Sequence, residues 1–371
     1  MQLERIRLHR IHLPLVRPFR TSFGTEFNRD VLLAEVITTD GVTGWAENSA
    51  MEWPGYSAEY VDGAVDVIAD FLIPAVRNLD DVTPDAAHTA MAPTRGHPMA
   101  KSTIETAILD AWLRTRNESL ASYLGATRTK VACGVSVGIP ADDALDTLMN
   151  EVALYVEAGY KRIKLKIQPG WDLEPVRLVR EAWPSIPMQV DANQAYSRGD
   201  GKHLAKLDAF ELILIEQPLT EDDLYGHKIL ADAVQTPICL DESILSVESA
   251  DSAIEFGAAE IINIKPARLG GYLEAKRVHD LCVERHIPVW CGGMLETGIG
   301  RAANVALAAL PGFTVVGDTS ASDRYFATDI TPPFVLEDGE LSVPTGPGIG
   351  VEPIRALVEE LTVWSGEIQM G

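Results

Sequence analysis

The sequence has few cysteines, and none of them forms the closely spaced pairs that zinc sites and redox sites use. Four are spread through 371 residues, all in apolar surroundings: Cys133, Cys239, Cys282 and Cys291. Cysteines in such settings are typical of small core residues. The pattern therefore indicates neither a thiolate metal site nor a redox pair.

Basic residues and long hydrophobic runs are also scarce. Lysine and arginine total 31 against 54 acidic residues, which gives a formal net charge of -23. A surface of this charge repels phosphate backbones and anionic lipid, so we expect no nucleic acid and no membrane among its partners. The opening stretch MQLERIRLHRIHLPLV alternates apolar with charged residues, which predicts neither a signal peptide nor a membrane span. We therefore expect a cytoplasmic protein.

The chain is longer than one hydrophobic core usually allows, so we expect one large domain with a smaller one attached. Residues 1–127 carry short alternating segments at 2–13, 30–39 and 44–47, which predict an antiparallel sheet. Helical periodicity follows at 58–76 and 102–123. This first part is therefore predicted to be an α+β domain.

A different rhythm begins after residue 127, where short apolar runs alternate with amphipathic helices up to residue 335. Eight strands are predicted, at 131–138, 162–167, 188–191, 212–216, 238–241, 261–265, 288–291 and 314–317. Apolar strands alternating with helices imply a parallel sheet, and eight of them suit closure into a barrel. The predicted class is α/β, a modified TIM barrel of (β/α)7β type; an open doubly wound sheet is the alternative. The segment 336–371, with a last helix at 353–363, is predicted to return to the first domain.

Acidic residues stand at the ends of three successive predicted strands, at equal spacing: Asp191, Glu216 and Asp241. Barrel enzymes keep their active sites at this end of the strands, so the carboxylates should converge there. Three carboxylates repel one another unless a cation neutralises them, and an all-oxygen site favours Mg²⁺, with Mn²⁺ as a substitute. Each acid alone would be better explained as a helix cap, but the repetition favours a shared metal.

Lysines end two further strands. Lys164 and Lys166 lie two residues apart and so face the same side of their strand, while Lys265 ends the sixth strand on the far side of the carboxylates. Like-charge repulsion from Lys164 would make Lys166 a usable base near neutral pH. The arrangement suits enolisation of a carboxylate substrate, in which a lysine removes the α-proton and a cation stabilises the negative charge.

The segments KLK, VDAN, IEQP, LDES and NIKP, in this order, resemble the enolase superfamily and its muconate-lactonising subgroup. The resemblance implies that the first domain is a capping domain. It also implies that Asp191, Glu216 and Asp241 bind Mg²⁺, that Lys166 and Lys265 flank the substrate, and that Lys164 assists at its carboxylate. Longer segments, among them FRTSFGTEFNRD and CGGMLETGIGRAANVALA, are similar to N-acylamino-acid (N-succinylamino-acid) racemases and o-succinylbenzoate synthases.

The resemblance leaves two reactions open: a 1,1-proton transfer that racemises an N-acylamino acid, and a syn dehydration in menaquinone synthesis. Dipeptide epimerase and muconate cycloisomerase are alternative enzymes. A catalytically silent metal-binding homologue should lack a ligand or a lysine, and none is missing here. A small-molecule carboxylate is the expected substrate, and the resemblance implies a homo-oligomer.

Other residues are weaker candidates. Arg268, three residues after Lys265, is predicted to weaken that lysine's hold on its proton and so to favour racemisation; an arginine paired to a surface carboxylate is the alternative. The substrate pocket is predicted from residues in segments near the barrel mouth, where plain core packing is the competing explanation. They are Phe23 and Met51 from the first domain and Ser136, Asn193, Met294 and Leu295 from the barrel, Asn193 also as support for the metal.

Overall fold

The computed structural model describes all 371 residues of the chain. An antiparallel sheet opens the molecule with three strands, which we name β1 (Leu3–Arg20), β2 (Thr25–Thr38) and β3 (Thr43–Asn48). The segment DVLLAEVIT in β2 is buried throughout, and does not show the predicted alternation. The reason is that both faces of this strand are covered, one by helices of the first domain and one by the barrel.

The packing of β2 follows from the two-residue period of a strand. Leu32, Ala34 and Val36 belong to a core shared with the helices of the first domain, whereas Val31 and Leu33 belong to the core of the barrel. The sheet is thus the layer between two cores. On the helical side, a Cβ added at Gly44 would lie 2.3 Å from the backbone oxygen of a residue in the helix Pro98–Thr115, so glycine is what lets this helix lie against the sheet.

Helices of the first domain follow β3. A π-helical stretch interrupts the first of them, and the predicted helix at 102–123 is two helices separated by a break in which Asn117 has φ 52°. The helical segments are Val61–Val67, Ile68–Leu72, Ile73–Arg77, Pro84–Met91, Pro98–Thr115 and Leu120–Leu124.

A short strand, β4 (Lys130–Ala132), leads into a curled parallel sheet of seven strands, each hydrogen-bonded to the next in sequence. These are β5 (Gly134–Val137), β6 (Arg162–Lys166), β7 (Met188–Asp191), β8 (Ile215–Glu216), β9 (Ile238–Leu240), β10 (Ile261–Ile264) and β11 (Val289–Cys291). The predicted α/β fold class is confirmed.

The eighth predicted strand, 314–317, is wrong as a regular strand. Single backbone hydrogen bonds join this segment to both edges of the sheet: Val315 donates to the carbonyl of Val289 (3.2 Å), and Gly134 donates to the carbonyl of Gly317 (2.8 Å). A Cβ at Gly317 would lie 2.6 Å from the carbonyl oxygen of Cys291, so this close approach needs glycine. The segment spans the gap between β11 and β5 without forming a ladder.

Helices cover the outside of the curled sheet and connect its strands. The α-helices are Leu145–Glu157, Leu173–Ala182, Gly201–Leu204, Leu224–Ala231, Val247–Glu255, Pro266–Leu269, Tyr272–Glu284 and Gly298–Ala308. Shorter 3₁₀ turns lie at Arg198–Asp200, Ala205–Phe210 and Ser322–Arg324. None of the helices combines the length and the hydropathy that crossing a membrane requires.

The C-terminal segment holds a strand that the sequence did not predict. After β12 (Glu340–Ser342), which pairs with β4, the last helix covers only Arg355–Leu361. It runs directly into β13 (Thr362–Gln369), which pairs antiparallel with β1 and opposes Ile6 with Ile368. The predicted helix at 353–363 is therefore too long at its end. The division of the chain at residues 127 and 335 stays a prediction.

Candidate active site

The three candidate metal ligands lie at the carboxyl ends of adjacent strands. Asp191 ends β7, Glu216 ends β8 and Asp241 follows β9. The strand register aligns Lys166 with Asp191 and Asp191 with Glu216, so these side chains stand at one level of the sheet. Each carboxylate is at most 1% exposed. The apolar run that precedes each acid fixes its strand in the wall, which leaves the acid at the mouth.

Each of the three candidate lysines is buried and donates a hydrogen bond to one of these carboxylates. The pairs are Lys166 with Asp191 (2.6 Å), Lys164 with Glu216 (3.0 Å) and Lys265 with Asp241 (2.8 Å). Lys164 and Lys166 both line the cavity at the mouth, whereas Leu165 between them packs in the core. The two-residue period of β6 therefore directs both amines inwards.

The carboxylates differ in their electrostatic environment. Burial and the negative charge of Asp191 raise the pKa of Glu216 to about 8, because the nearby lysines only partly offset them. Burial also acts to raise the pKa of Asp191, but the charges of Lys166 and Lys164 outweigh it and hold this pKa below its usual value. The site thus holds more buried negative charge near Glu216 than its lysines neutralise.

A divalent cation would relieve this conflict. Three carboxylates with no thiolate or imidazole among them are the donor set that Mg²⁺ takes. In the structure their oxygens face the lysines, and no group of three or more His, Cys, Asp or Glu side chains is gathered closely enough to hold a metal ion. The residues fit Mg²⁺ in chemistry and in position along the strands, and their side chains have to turn from the lysines to bind it.

Lys265 has a second set of partners in the first domain and on the short helix that follows it. Its amine donates to the hydroxyl of Tyr56 (3.1 Å), and Arg268 donates to the same hydroxyl (3.1 Å) and to Asp241. Burial lowers the pKa of Lys265, but Asp241 raises it well above its usual value, and Arg268 acts in the lowering direction. Arg268 is buried, so its carboxylate partner is in the site and not on the surface.

Lys164 is held from the other side by Asp318. This carboxylate, which follows the segment 314–317, pairs with Lys164 and also accepts from Arg162 (2.8 Å), whose side chain is fully buried. Burial lowers the pKa of Lys164, but Asp318 and Glu216 raise it well above its usual value. Lys164 therefore lies in a largely negative environment despite its lysine neighbour.

A cavity of about 50 Å³ lies above the lysines, between the barrel and the loops of the first domain. The structure brings all six predicted pocket residues to its wall: Phe23, Met51, Ser136, Asn193, Met294 and Leu295. Asn193 accepts a hydrogen bond from Lys166 (2.7 Å), and the hydroxyl oxygen of Ser136 has no partner in the chain.

The same wall contains residues that the sequence analysis missed, namely Phe19, Tyr56, Asp318 and Tyr325. Asp318 carries the strand-end signal that marked the metal ligands, because it follows the eighth apolar segment. Phe19 opens one of the segments that resembled the family. Tyr56 lies in another such segment, 50–60, but its contacts with Asp241 and Lys265 are to residues far away in the chain, so the local sequence does not show its role.

Comparison with known proteins agrees with this arrangement of two domains. Residues 6–125 match the mandelate racemase / muconate lactonizing enzyme N-terminal domain, and residues 147–357 match the enolase C-terminal domain-like family. The chain belongs to the enolase superfamily. The resemblance drawn from the sequence motifs is thereby confirmed.

Relatives within this superfamily match almost the whole chain. An N-succinylamino acid racemase from Amycolatopsis is 56% identical over 99% of this chain and 100% of its own length. An o-succinylbenzoate synthase from Bacillus subtilis is 46% identical over 95% of this chain and 94% of its own length. A crystal structure of an enolase-superfamily member from Listeria innocua superposes with a TM-score of 0.95 at 39% identity, covering 100% of both chains. The protein is thus an enzyme of this superfamily, similar to isomerases and lyases.

Proposed function

We propose that the protein racemises N-succinylamino acids, or closely related N-acylamino acids, with Mg²⁺ as cofactor and Mn²⁺ as a substitute. The observation that carries the proposal is the placement of two lysines on opposite sides of the row of carboxylates, Lys166 on β6 and Lys265 after β10. Two amines facing a substrate from opposite sides are what inversion at one carbon requires. The match to the Amycolatopsis racemase supports this substrate class.

In the proposed reaction, Lys166 removes the α-proton from one face and the protonated Lys265 delivers a proton to the other; the reverse direction exchanges their roles. Mg²⁺, held by Asp191, Glu216 and Asp241, would supply positive charge to the substrate carboxylate as its α-carbon loses the proton. Members of this superfamily generally use this ion. Lys164 would lie beside the carboxylate and add a fixed positive charge.

The acyl group of the substrate would lie in the cavity under the first domain. Phe23 and Met51 from that domain and Met294 and Leu295 from the barrel give this cavity an apolar side. Their contacts would exclude water from the amines and hold the α-carbon between them. Ser136, with its unpartnered hydroxyl, would bind a polar atom of the substrate.

o-Succinylbenzoate synthase is the second candidate, alone or together with the racemase. The Bacillus subtilis relative carries this name, and the dehydration needs only one acid–base group. Lys166 would serve as that group, and Lys265 would stay protonated and stabilise negative charge. A cytoplasmic location and a homo-oligomeric state also belong to this proposal.

The deciding experiment follows both reactions on the purified protein with Mg²⁺ in D₂O. N-succinyl-phenylalanine reports racemisation through α-deuteration by NMR, and the cyclohexadiene substrate of the synthase reports dehydration through absorbance. Fast exchange in the wild-type protein, with racemisation lost in both Lys166→Ala and Lys265→Ala, supports the racemase. Dehydration with slow exchange assigns the synthase, and activity only on dipeptides or muconate would refute both assignments.

A further inference from the structure

The turn between β1 and β2 carries the loop of the first domain that lies over Lys166. Thr21 donates a backbone hydrogen bond to the carbonyl of Gly24 (2.9 Å), which closes the turn. Phe19, at its base, places its ring 5.9 Å from the amine of Lys166, and Phe23 within the turn lines the cavity. Phe19 and Phe23 thus form the part of the cavity wall that the first domain places over Lys166, which we call the cover of the cavity. Any group that fixes the position of this turn also fixes the cover.

Ser22 at the tip of this turn makes a direct contact with the barrel. Its hydroxyl lies 3.0 Å from the carbonyl oxygen of Ala192 and 3.2 Å from that of Asn193, and donates to this pair of acceptors. These carbonyls belong to the loop that follows β7, immediately after Asp191. The contact therefore joins the cover of the cavity to the loop beside the candidate base.

The backbone of this loop is in an unfavourable conformation. Asn193 has φ 40° and Gln194 has φ 69°, two consecutive left-handed residues without a glycine. Such residues persist only where surrounding contacts hold them. Besides Ser22, the backbone N–H of Asn193 donates to the Asp191 carboxylate (3.0 Å) and that of Gln194 to the Gln217 carbonyl (2.8 Å). The side-chain oxygen of Gln194 also accepts from the backbone N–H of Glu221 (2.8 Å).

The side chain of Asn193 is hydrogen-bonded to the amine of Lys166, so the backbone conformation of Asn193 affects where this amine lies. Its Oδ1 accepts from the Lys166 amine (2.7 Å), and its Nδ2 donates to Glu242 (3.2 Å), which fixes the orientation of the amide. A rotation of the Asn193 backbone would withdraw this acceptor. The hydrogen-bond acceptors of Ser22 are the carbonyls of Ala192 and Asn193, and Lys166 is not among its partners.

We propose that Ser22 is a positioning residue, which couples closure of the cavity to the placement of Lys166 through Asn193. With the turn down, the Ser22 hydroxyl holds the left-handed backbone of Asn193, and the amide oxygen then holds the lysine amine. With the turn raised, Lys166 loses that acceptor. The consequence for catalysis rests on the proposed function, whereas the structural coupling does not depend on it.

The kinetic test compares the two lysines within one protein. In D₂O with Mg²⁺, α-proton exchange is measured for each enantiomer of N-succinyl-phenylalanine, and Lys166→Ala and Lys265→Ala assign each enantiomer to one lysine. We call the side of the substrate from which Lys166 removes the α-proton the Lys166 face, and the opposite side the Lys265 face. Ser22→Ala should reduce the exchange rate at the Lys166 face five- to tenfold relative to the rate at the Lys265 face, and Ser22→Thr should restore the ratio of the two rates. Equal loss at both faces, a change in KM alone, or failure of threonine to restore would overturn the proposal.

A matched control weakens another contact of the turn between β1 and β2. Arg20, just before the turn, pairs with exposed Asp143 (2.8 Å), and neither side chain is a hydrogen-bond partner of Asn193. Asp143→Asn should leave the ratio of the two faces unchanged, and an equal shift in this variant would show that any loosening of the loop suffices, against the proposal.

A crystal structure of Ser22→Ala tests the coupling without any activity. Loss of the left-handed Asn193 backbone, or of its contact with Lys166, is expected. An unchanged Asn193 contradicts the proposal even if the variant is active. Absence of exchange in the wild-type protein would refute the proposed function alone, because this structural comparison still decides the role of Ser22.

Discussion

The amine of Lys265 lies 3.1 Å from the hydroxyl of Tyr56, and through this contact the first domain supplies a hydrogen-bond partner to a barrel lysine. The same hydroxyl lies 3.1 Å from Asp241 and 3.1 Å from Arg268. Tyr56 of the first domain is thus hydrogen-bonded to a candidate base, to a candidate metal ligand and to the arginine that pairs with that ligand. The first domain contributes to the polar part of the site as well as to its cover.

Tyr56→Phe should reduce α-proton exchange at the Lys265 face about tenfold, because a buried hydrogen bond to a charged group contributes about 1.5 kcal/mol. The aromatic ring remains, so KM and the exchange at the Lys166 face should change little. Separate exchange rates for the two enantiomers of N-succinyl-phenylalanine check this. Equal loss at both faces would indicate a disturbed pocket instead.

Arg268→Gln should lower exchange at the Lys265 face by about tenfold, on the order of 1.4 kcal/mol in the barrier. The positive charge of Arg268 lies close to Lys265 and acts to lower its pKa, so without the arginine the lysine holds its proton more firmly. The Lys166 face serves as the internal control. Unchanged exchange at the Lys265 face would contradict the predicted role of Arg268.

Removal of divalent metal with EDTA should abolish activity, and Mg²⁺ or, less fully, Mn²⁺ should restore it. The thermal midpoint of unfolding is a readout that does not depend on activity. An ion that binds only the folded state stabilises it by about 2.7 kcal/mol when its free concentration is about 100 times its Kd. Asp241→Asn should lose this Mg²⁺-dependent shift. Glu242→Gln, next to it but outside the proposed ligand set, should keep it.

Asp318→Asn should destabilise the fold by about 3 to 5 kcal/mol, the usual effect of removing one partner from a buried ion pair. Asp318 pairs with both Lys164 and Arg162, whose side chains are buried. Asp251→Asn is the matched control, since it breaks a solvent-exposed pair with Arg285 and should cost less than about 0.5 kcal/mol. Urea unfolding of both variants makes the comparison, and similar values would refute it.

The pH dependence of stability should contain a contribution from Glu47. Burial and the charge of Glu296 raise its pKa from the usual 4.5 to about 7, although hydrogen bonds from Thr297 act against this. The folded state then binds the proton more tightly than the unfolded state. The stabilisation is therefore full below pH 4.5 and is lost as the pH rises to about 7, on the order of 3 kcal/mol.

Glu47→Gln should flatten this part of the curve of unfolding free energy against pH, measured by denaturant unfolding between pH 4 and 8. Glu359→Gln, at an exposed position on the last helix, should leave the slope as in the wild-type protein. A Glu47 variant with the wild-type slope would contradict the assignment.

Sequence patterns located the barrel well where a repeated physical rule applied. An apolar run followed by an acid predicts a buried strand with its end at the mouth, and Asp191, Glu216 and Asp241 all lie there. Asp318 obeys the same rule, because it follows the predicted strand at 314–317, but only the three acids at equal spacing were singled out. The roles of these residues stay predictions until they are tested.

Features that depend on distant parts of the chain were beyond such rules. β13 was missed because it is an exposed edge strand with no buried face to create an alternating pattern, and because it follows a helix without a turn. The contact between Tyr56 and Lys265 brings together two loops whose local sequences do not mark it. Local pattern gives the elements, whereas tertiary packing decides which side chains meet.

The pairing of β13 with β1 has a consequence for how the protein is made. β1 cannot pair with β13 until residues 362–369 have been synthesised, which is after the entire barrel. Pairing across so large a separation in the chain is slow to form, so the sheet should be completed late in folding. It also brings the two ends of the chain together, since Met370 donates to the carbonyl of Glu4 (2.9 Å). A short linker joining these ends, with new termini opened in a surface loop of the barrel, should therefore yield a circular permutant that keeps the fold.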